Sequence, residues 1–266
     1  MMFKQISVEF VYQLFALLFS IIVVHGLYVS VIRPHAEADL AESRALVAQQ
    51  PDAEVTSTFY VIIKDYEQEA CFVLMLWALA ILGYKGITVL RERHLLEGNL
   101  LPLTEGIKIL PEDARRYAKP LDALAPGLRN LLLPRAVFQA LTRFETTQEV
   151  QDVASATSAL CENEGERLDS ELAQIRYIAW AIPSIGFIGT VRGIGNALGQ
   201  AHRAVQGDIT GVTQNLGTAF NSTLIALLLS IVLMFLVHQL QLAQERLVLD
   251  TETYVNDRLI RHLRTR

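Results

Sequence analysis

The chain has 266 residues, 52% of them hydrophobic and 19% charged, with a formal net charge of −5. That balance is more apolar than a soluble domain normally carries, and the acidic total gives nothing in favour of the basic face on which a nucleic-acid binder depends. The two cysteines, Cys71 and Cys161, lie far apart with no metal-ligand spacing, so neither a disulfide framework nor a metal centre is expected.

A membrane span needs roughly 20 mostly apolar residues to cross about 30 Å of hydrocarbon. The first such run ends the segment 1–32 and covers residues 10–32, FVYQLFALLFSIIVVHGLYVSVI. Ala36-Glu37-Ala38 behind it has the small-residue character of a leader cleavage site, with Lys4 as a weak positive flank; cleavage there would leave three spans. Residues 33–69 carry eight carboxylates against Arg33, Arg44 and Lys64, as suits a periplasmic loop. The second span fills 70–90, with Lys85 near its end, where it can snorkel. Arg91, Arg93 and His94 follow directly and mark that end as cytoplasmic.

Residues 91–176 form a cytoplasmic helical segment. Pro102, Pro111, Pro120, Pro126 and Pro134 divide its first half into short helices and turns. From Arg135 to Arg176, Val137, Leu141, Phe144, Val150, Val153, Leu160, Leu168, Leu172 and Ile175 recur at helical spacing, which predicts one long amphipathic helix running into the third span. Glu162, Glu164, Glu166 and Asp169 form an acidic patch on it, read as a solvated face or as a metal or partner-docking site. Residues 177–240 hold two further spans joined by a short turn, and 241–266 continue the last one as a cytoplasmic helix rich in arginine. The expected fold is therefore all-α: a multi-pass membrane protein with four transmembrane helices, long cytoplasmic helical extensions and both termini in the cytoplasm.

The chemistry lies in the last two spans. In the third, Pro183, Gly186, Thr190, Gly193 and Ala197 recur at three and four residues and share one helix face, and Gly189 with Gly193 gives a GxxxG pair. In the fourth, Ala219, Ser222, Thr223, Ala226 and Ser230 make a matching small face. Thr190 lies about 21 Å along the helix from Arg176, and Thr223 about 10 Å below the outer end of its span. Two antiparallel helices thus bring both hydroxyls to nearly one depth. Single membrane threonines often only bond to the preceding turn or stitch helices together. Here Thr218, Asn221, Ser222 and Thr223 cluster, and Asn221 is costly in lipid unless it faces protein or water. That cluster points to an ion-pathway lining.

The run PSIGFIGTVRGI at 183–194 resembles the PLLGLLGTVxG(I/M) signature of the MotA/TolQ/ExbB proton-channel family, and GTAFNSTLIAL at 217–227 resembles that family's second signature. The resemblance covers about residues 145–260. It implies a homo-oligomeric ring, usually a pentamer, in the bacterial inner membrane. The ring would surround a dimer of a single-span ExbD/TolR/MotB-like partner that carries a membrane aspartate. It also implies a motor coupling H⁺ or Na⁺ flow to work on the envelope or to transport of a substrate such as protein, with Thr190 and Thr223 facing the aspartate and Pro183 shaping the helix. Ala226 stands where the family has glycine. Thr218 stands where many members have a membrane glutamate, so this subunit lacks that titrating group. Arg192 occupies the variable signature position, expected to snorkel outward or pair with Asp208. No cofactor, no metal and no enzymatic constellation is expected, and the six histidines are dispersed. His25, inside the first span, reads as a bundle-facing, hydrogen-bonded residue or a proton relay. Two other classes remain open: an oligomeric scaffold without ion conduction, and a sensor using the acidic loop.

Overall fold

A computed structural model describes residues 8–49, 58–98, 100 and 107–265. Pro102 and the leader flank at Lys4 lie outside them. All regular structure among these residues is helical, and the extended backbone contributes one isolated bridge, Ile109 with Leu263. Four helical stretches, Val8–Ser43, Tyr66–Glu97, Val150–Gly199 and Thr210–His262, are long and apolar enough to cross a membrane. The chain is an all-α, multi-pass membrane protein. It divides into two compact units, one of residues up to Gly83 with Gln174–Val237, the other of Tyr84–Ala173 with His238–Arg266.

The first unit begins with α1 (Val8–Leu27), which passes through a π-turn at Tyr28–Ile32 into α2 (Arg33–Gln49) without a break. The wide turn precedes Pro34, which has no N–H to give and whose ring would crowd the carbonyl four residues back. The helix therefore runs well beyond residue 32, and Ala36 sits buried inside it. A short α3 (Phe59–Ile63) leads into α4 (Tyr66–Glu97), whose first eighteen residues belong to this unit. Val24, Tyr28, Ile32 and Ile63 make one buried cluster with Phe72, Val73 and Leu76 packed on it. Outward faces stay apolar: Ile22, Trp180, Val191 and Ile231 are each about two-thirds exposed or more. A surface of that kind is stable only against lipid or another apolar partner.

The second unit is built around a core of large apolar side chains. Helices α5 (Pro111–Asp122), α6 (Pro126–Arg129) and α7 (Leu132–Thr147) follow the proline punctuation, with Pro111 in the first turn of α5. Leu121, Leu133, Val137, Leu141 and Phe144 bury themselves with Val153, Val255, Leu259 and Leu263 in one core. Glu92 accepts a hydrogen bond from the Leu132 backbone N–H at 2.9 Å, satisfying a donor that the start of α7 leaves free.

The single amphipathic helix expected over 135–176 is two helices. The chain breaks at Gln148, which takes a left-handed conformation (φ 58) while its N–H bonds back to Phe144, and α8 (Val150–Gly199) starts afterwards. Lys85 is 6% exposed and pairs with Glu171 at 2.8 Å, so its charge is met by a carboxylate. In the acidic patch, Glu164 is buried and bonded to both Arg135 and Arg167, whereas Glu162, Glu166 and Asp169 are exposed. Within the first unit, α8 turns through a short α9 (Ala201–Val205) and Gly207, at φ 95, into α10 (Thr210–Arg258).

Candidate functional site

Helices α8 and α10 meet along a seam of small residues. A Cβ built on Gly186 would lie 2.5 Å from Ala226 Cβ, one on Gly189 2.6 Å from Ser222 Cβ, and one on Gly193 2.7 Å from Ala219 Cβ. Real Cβ atoms do not approach so closely, so this spacing of the backbones requires glycine at all three points. The partners climb one helix as they descend the other: 186 with 226, 189 with 222, 193 with 219. That is the signature of antiparallel helices in near-contact, and it gives the GxxxG pair its physical meaning here.

Pro183 sits inside α8 and supplies no N–H to the carbonyl of Ala179, four residues earlier. Ser230 from α10 donates its hydroxyl to that carbonyl at 2.8 Å. The orphan acceptor created by the proline is thereby satisfied from the opposite helix. Nothing in the residue pattern singled this bond out beyond the i−4 relation to proline and the place of Ser230 on the small face.

Between these points lies the hydroxyl pair. Thr190 Oγ1 lies 3.1 Å from the Ala219 carbonyl on α10, and Thr223 Oγ1 lies 3.2 Å from the Gly186 carbonyl on α8. The two hydroxyls also touch each other. Each helix thus lends a hydroxyl to the other's backbone at one level. Ser222 is buried and bonds to the carbonyl of Thr218, one turn back. The seam therefore joins Thr190, Thr223 and Ser222. Asn221 and the Thr218 hydroxyl do not take part in it, because a helical step of two residues turns Asn221 about 200° from Thr223.

Arg192 does not pair with Asp208. Its guanidinium holds Glu67, in the first turn of α4, at 2.7 Å. Asp208 caps α10 instead, accepting from the Thr210 backbone N–H at 3.1 Å, and the Thr210 side chain and backbone together hold its carboxyl below the usual range. His25 is hydrogen-bonded but not buried in the bundle: its side chain is 60% exposed, and its Nδ1 lies 2.7 Å from Glu69, which also pairs with Arg33. On composition alone Glu67 and Glu69 read only as loop acids. The signal that would have placed them is the onset of the second apolar run immediately after them.

Both cysteines are free, buried thiols. Among the described residues, no cluster of histidine, cysteine, aspartate or glutamate has the makings of a metal site. A model of the MotA/TolQ/ExbB proton channel family matches residues 129–253, a stretch that contains the whole seam. No curated protein and no solved structure matches the chain.

Proposed function

We propose that this chain, whose residues 129–253 match the MotA/TolQ/ExbB proton channel family, is a proton-channel-type membrane subunit that conducts ions along the Thr190–Thr223 seam as part of an inner-membrane motor. In this reading several copies, as a homopentamer, form a ring around a dimer of a single-span ExbD/TolR/MotB-like partner. That partner's membrane aspartate carries the ion past the paired hydroxyls. Flow of H⁺, or of Na⁺, which neutral oxygens also solvate, would drive work on the envelope or transport of a substrate. Both termini would lie in the cytoplasm of a bacterial cell.

One observation carries the proposal. Two hydroxyls from antiparallel helices meet at a single level, inside the stretch that matches the family. The subunit presents hydroxyls and backbone carbonyls at that level, with no acid of its own in α8 or α10 there. Such a lining can solvate a passing ion but cannot bind a proton covalently at neutral pH. The nearest acid of this chain, Glu67 of α4, is held by Arg192, so this reading takes the titrating group from an aspartate-bearing partner.

The test is ion uptake into inverted vesicles, followed with H⁺- and Na⁺-sensitive dyes, from cells producing the chain with its single-span partner. Thr223→Ala should keep assembly and reduce uptake several-fold; unchanged uptake would sink the pathway role. A specific observation favours a second reading: each threonine is already satisfied by a carbonyl across the seam. In a scaffold without conduction, Thr190→Val and Thr223→Val would cost a little stability, and no ion movement would depend on them.

A further inference from the structure

Two carboxylates in the first turn of α4 face different neighbours. Glu67 and Glu69 stand two residues apart, which turns them about 200° from each other on a helix. Glu69 faces the first helix, where it meets His25 and Arg33. Glu67 faces α8. Its side chain is 11% exposed, its carboxylate grips Arg192 at 2.7 Å, and its Cγ lies 3.4 Å from where a Cβ on Gly189 would stand. At that same point Ser222 Oγ of α10 lies 2.8 Å away. Gly189 is therefore where α4, α8 and α10 converge, one residue before Thr190.

We propose that Glu67 is a positioning residue for the hydroxyl pair: by holding Arg192 and lying against Gly189, it fixes the rotation and height of α8 so that Thr190 meets Thr223. The geometry supports an orienting role over a simple fastening. Arg192 is two residues from Thr190 and on nearly the opposite side of the helix. A tether there acts as a lever on the threonine face. A rotation of α8 about its axis by one residue, about 100°, would carry Thr190 off the seam. Glu67 is largely withdrawn from water while Arg192 keeps 40% side-chain exposure, so turning α8 away strands the carboxylate without its partner, a cost that apolar packing does not impose. Glu67 lies outside the family-matched residues, so this brace is contributed by the part of the chain that the family model does not describe.

The ion-uptake arm of the test rests on the proposed function; the cross-linking arm does not. Thr190→Cys with Thr223→Cys places two thiols where a bridge can close, and its yield in membranes, mapped by mass spectrometry in the full chain, reports whether the seam is in register. Glu67→Gln and Arg192→Gln should each lower that yield several-fold. On the threonine background they should lower ion uptake per assembled complex to a similar extent. Exchanging the charges, Glu67→Arg with Arg192→Glu, should restore most of both. If Glu67→Gln does not accumulate, Glu67→Asp, which keeps the charge but withdraws it by one methylene, carries the same measurements. A lowered melting temperature with unchanged bridge yield and unchanged uptake would reduce the pair to an ordinary tie and overturn the proposal. Altered bridge yield in a parent that moves no ions would leave the positioning role standing and remove the conducting one.

Discussion

The two units solve the same problem, holding long helices together, with opposite materials. In the unit containing the seam, α8 and α10 approach through Gly186, Gly189, Gly193, Ala219 and Ala226, and the strongest directional links are hydroxyls and ion pairs. In the other, Phe144, Leu141, Leu133 and Leu259 fill a core of large side chains, and buried Glu164 is shared by two arginines. Water around the second unit and lipid around the first would produce this contrast. Where water surrounds a domain, burying large apolar groups drives packing; where lipid surrounds it, leucine gains little by leaving the surface, and close backbone approach becomes the main source of attraction. The units should therefore fail in different ways.

The largest effect should come from adding bulk to the seam. A Cβ on Gly193 already meets the Ala219 Cα and backbone N at 2.9 Å, so Gly193→Leu must drive α8 and α10 apart. Assembled complex, measured by native electrophoresis in mild detergent, should be almost lost. If Gly193→Leu assembles normally, the seam is not what holds this unit together. The reverse change dominates in the other unit. Phe144 is fully buried, and Phe144→Ala should cost about 3–5 kcal/mol through lost transfer energy and the cavity left behind. Protease susceptibility of the second unit should rise while seam cross-linking stays at the parental level.

A smaller effect belongs to Glu164. Its carboxylate is 6% exposed at the side chain, while Arg135 and Arg167 keep 37% and 57% exposure. Glu164→Gln should cost about 1–2 kcal/mol, since desolvated charge-assisted bonds are worth about 1.5–3 kcal/mol and the two arginines retain much of their water. Chemical denaturation of the purified protein, read by a probe in the second unit, measures it. A loss as large as that of Phe144→Ala would mean that polar and apolar contacts contribute alike there.

The same contrast explains what could be read from the residues. The seam was legible because small residues at intervals of three and four have few other uses in a membrane helix, and the four spans were legible because lipid forces long apolar runs. The proline-punctuated helices of the second unit were legible for a related local reason. Less visible were features chosen by distant partners. For Arg192 the residues suggest snorkelling outward or pairing with Asp208, and only the fold brings Glu67 to it. The break at Gln148 has neither glycine nor proline to announce it, because glutamine is an uncommon residue for a left-handed cap. Lys85, expected to snorkel, takes Glu171, 86 residues away in sequence.

The smallest predicted effect is also the sharpest, because it isolates one bond. Ser230→Ala removes the donor that satisfies the Ala179 carbonyl, and interhelical hydrogen bonds inside membranes average about 0.6 kcal/mol. That carbonyl needs a donor only because Pro183 cannot provide one. Pro183→Ala restores an N–H at that position, and the carbonyl can then close an ordinary helical bond. Ser230→Ala should accordingly be destabilising in the parent and nearly silent in the Pro183→Ala background, a coupling that a double-mutant cycle on seam cross-linking or unfolding resolves. Equal costs in both backgrounds would show that Ser230 acts by packing alone, and that the proline and the serine are neighbours without being partners.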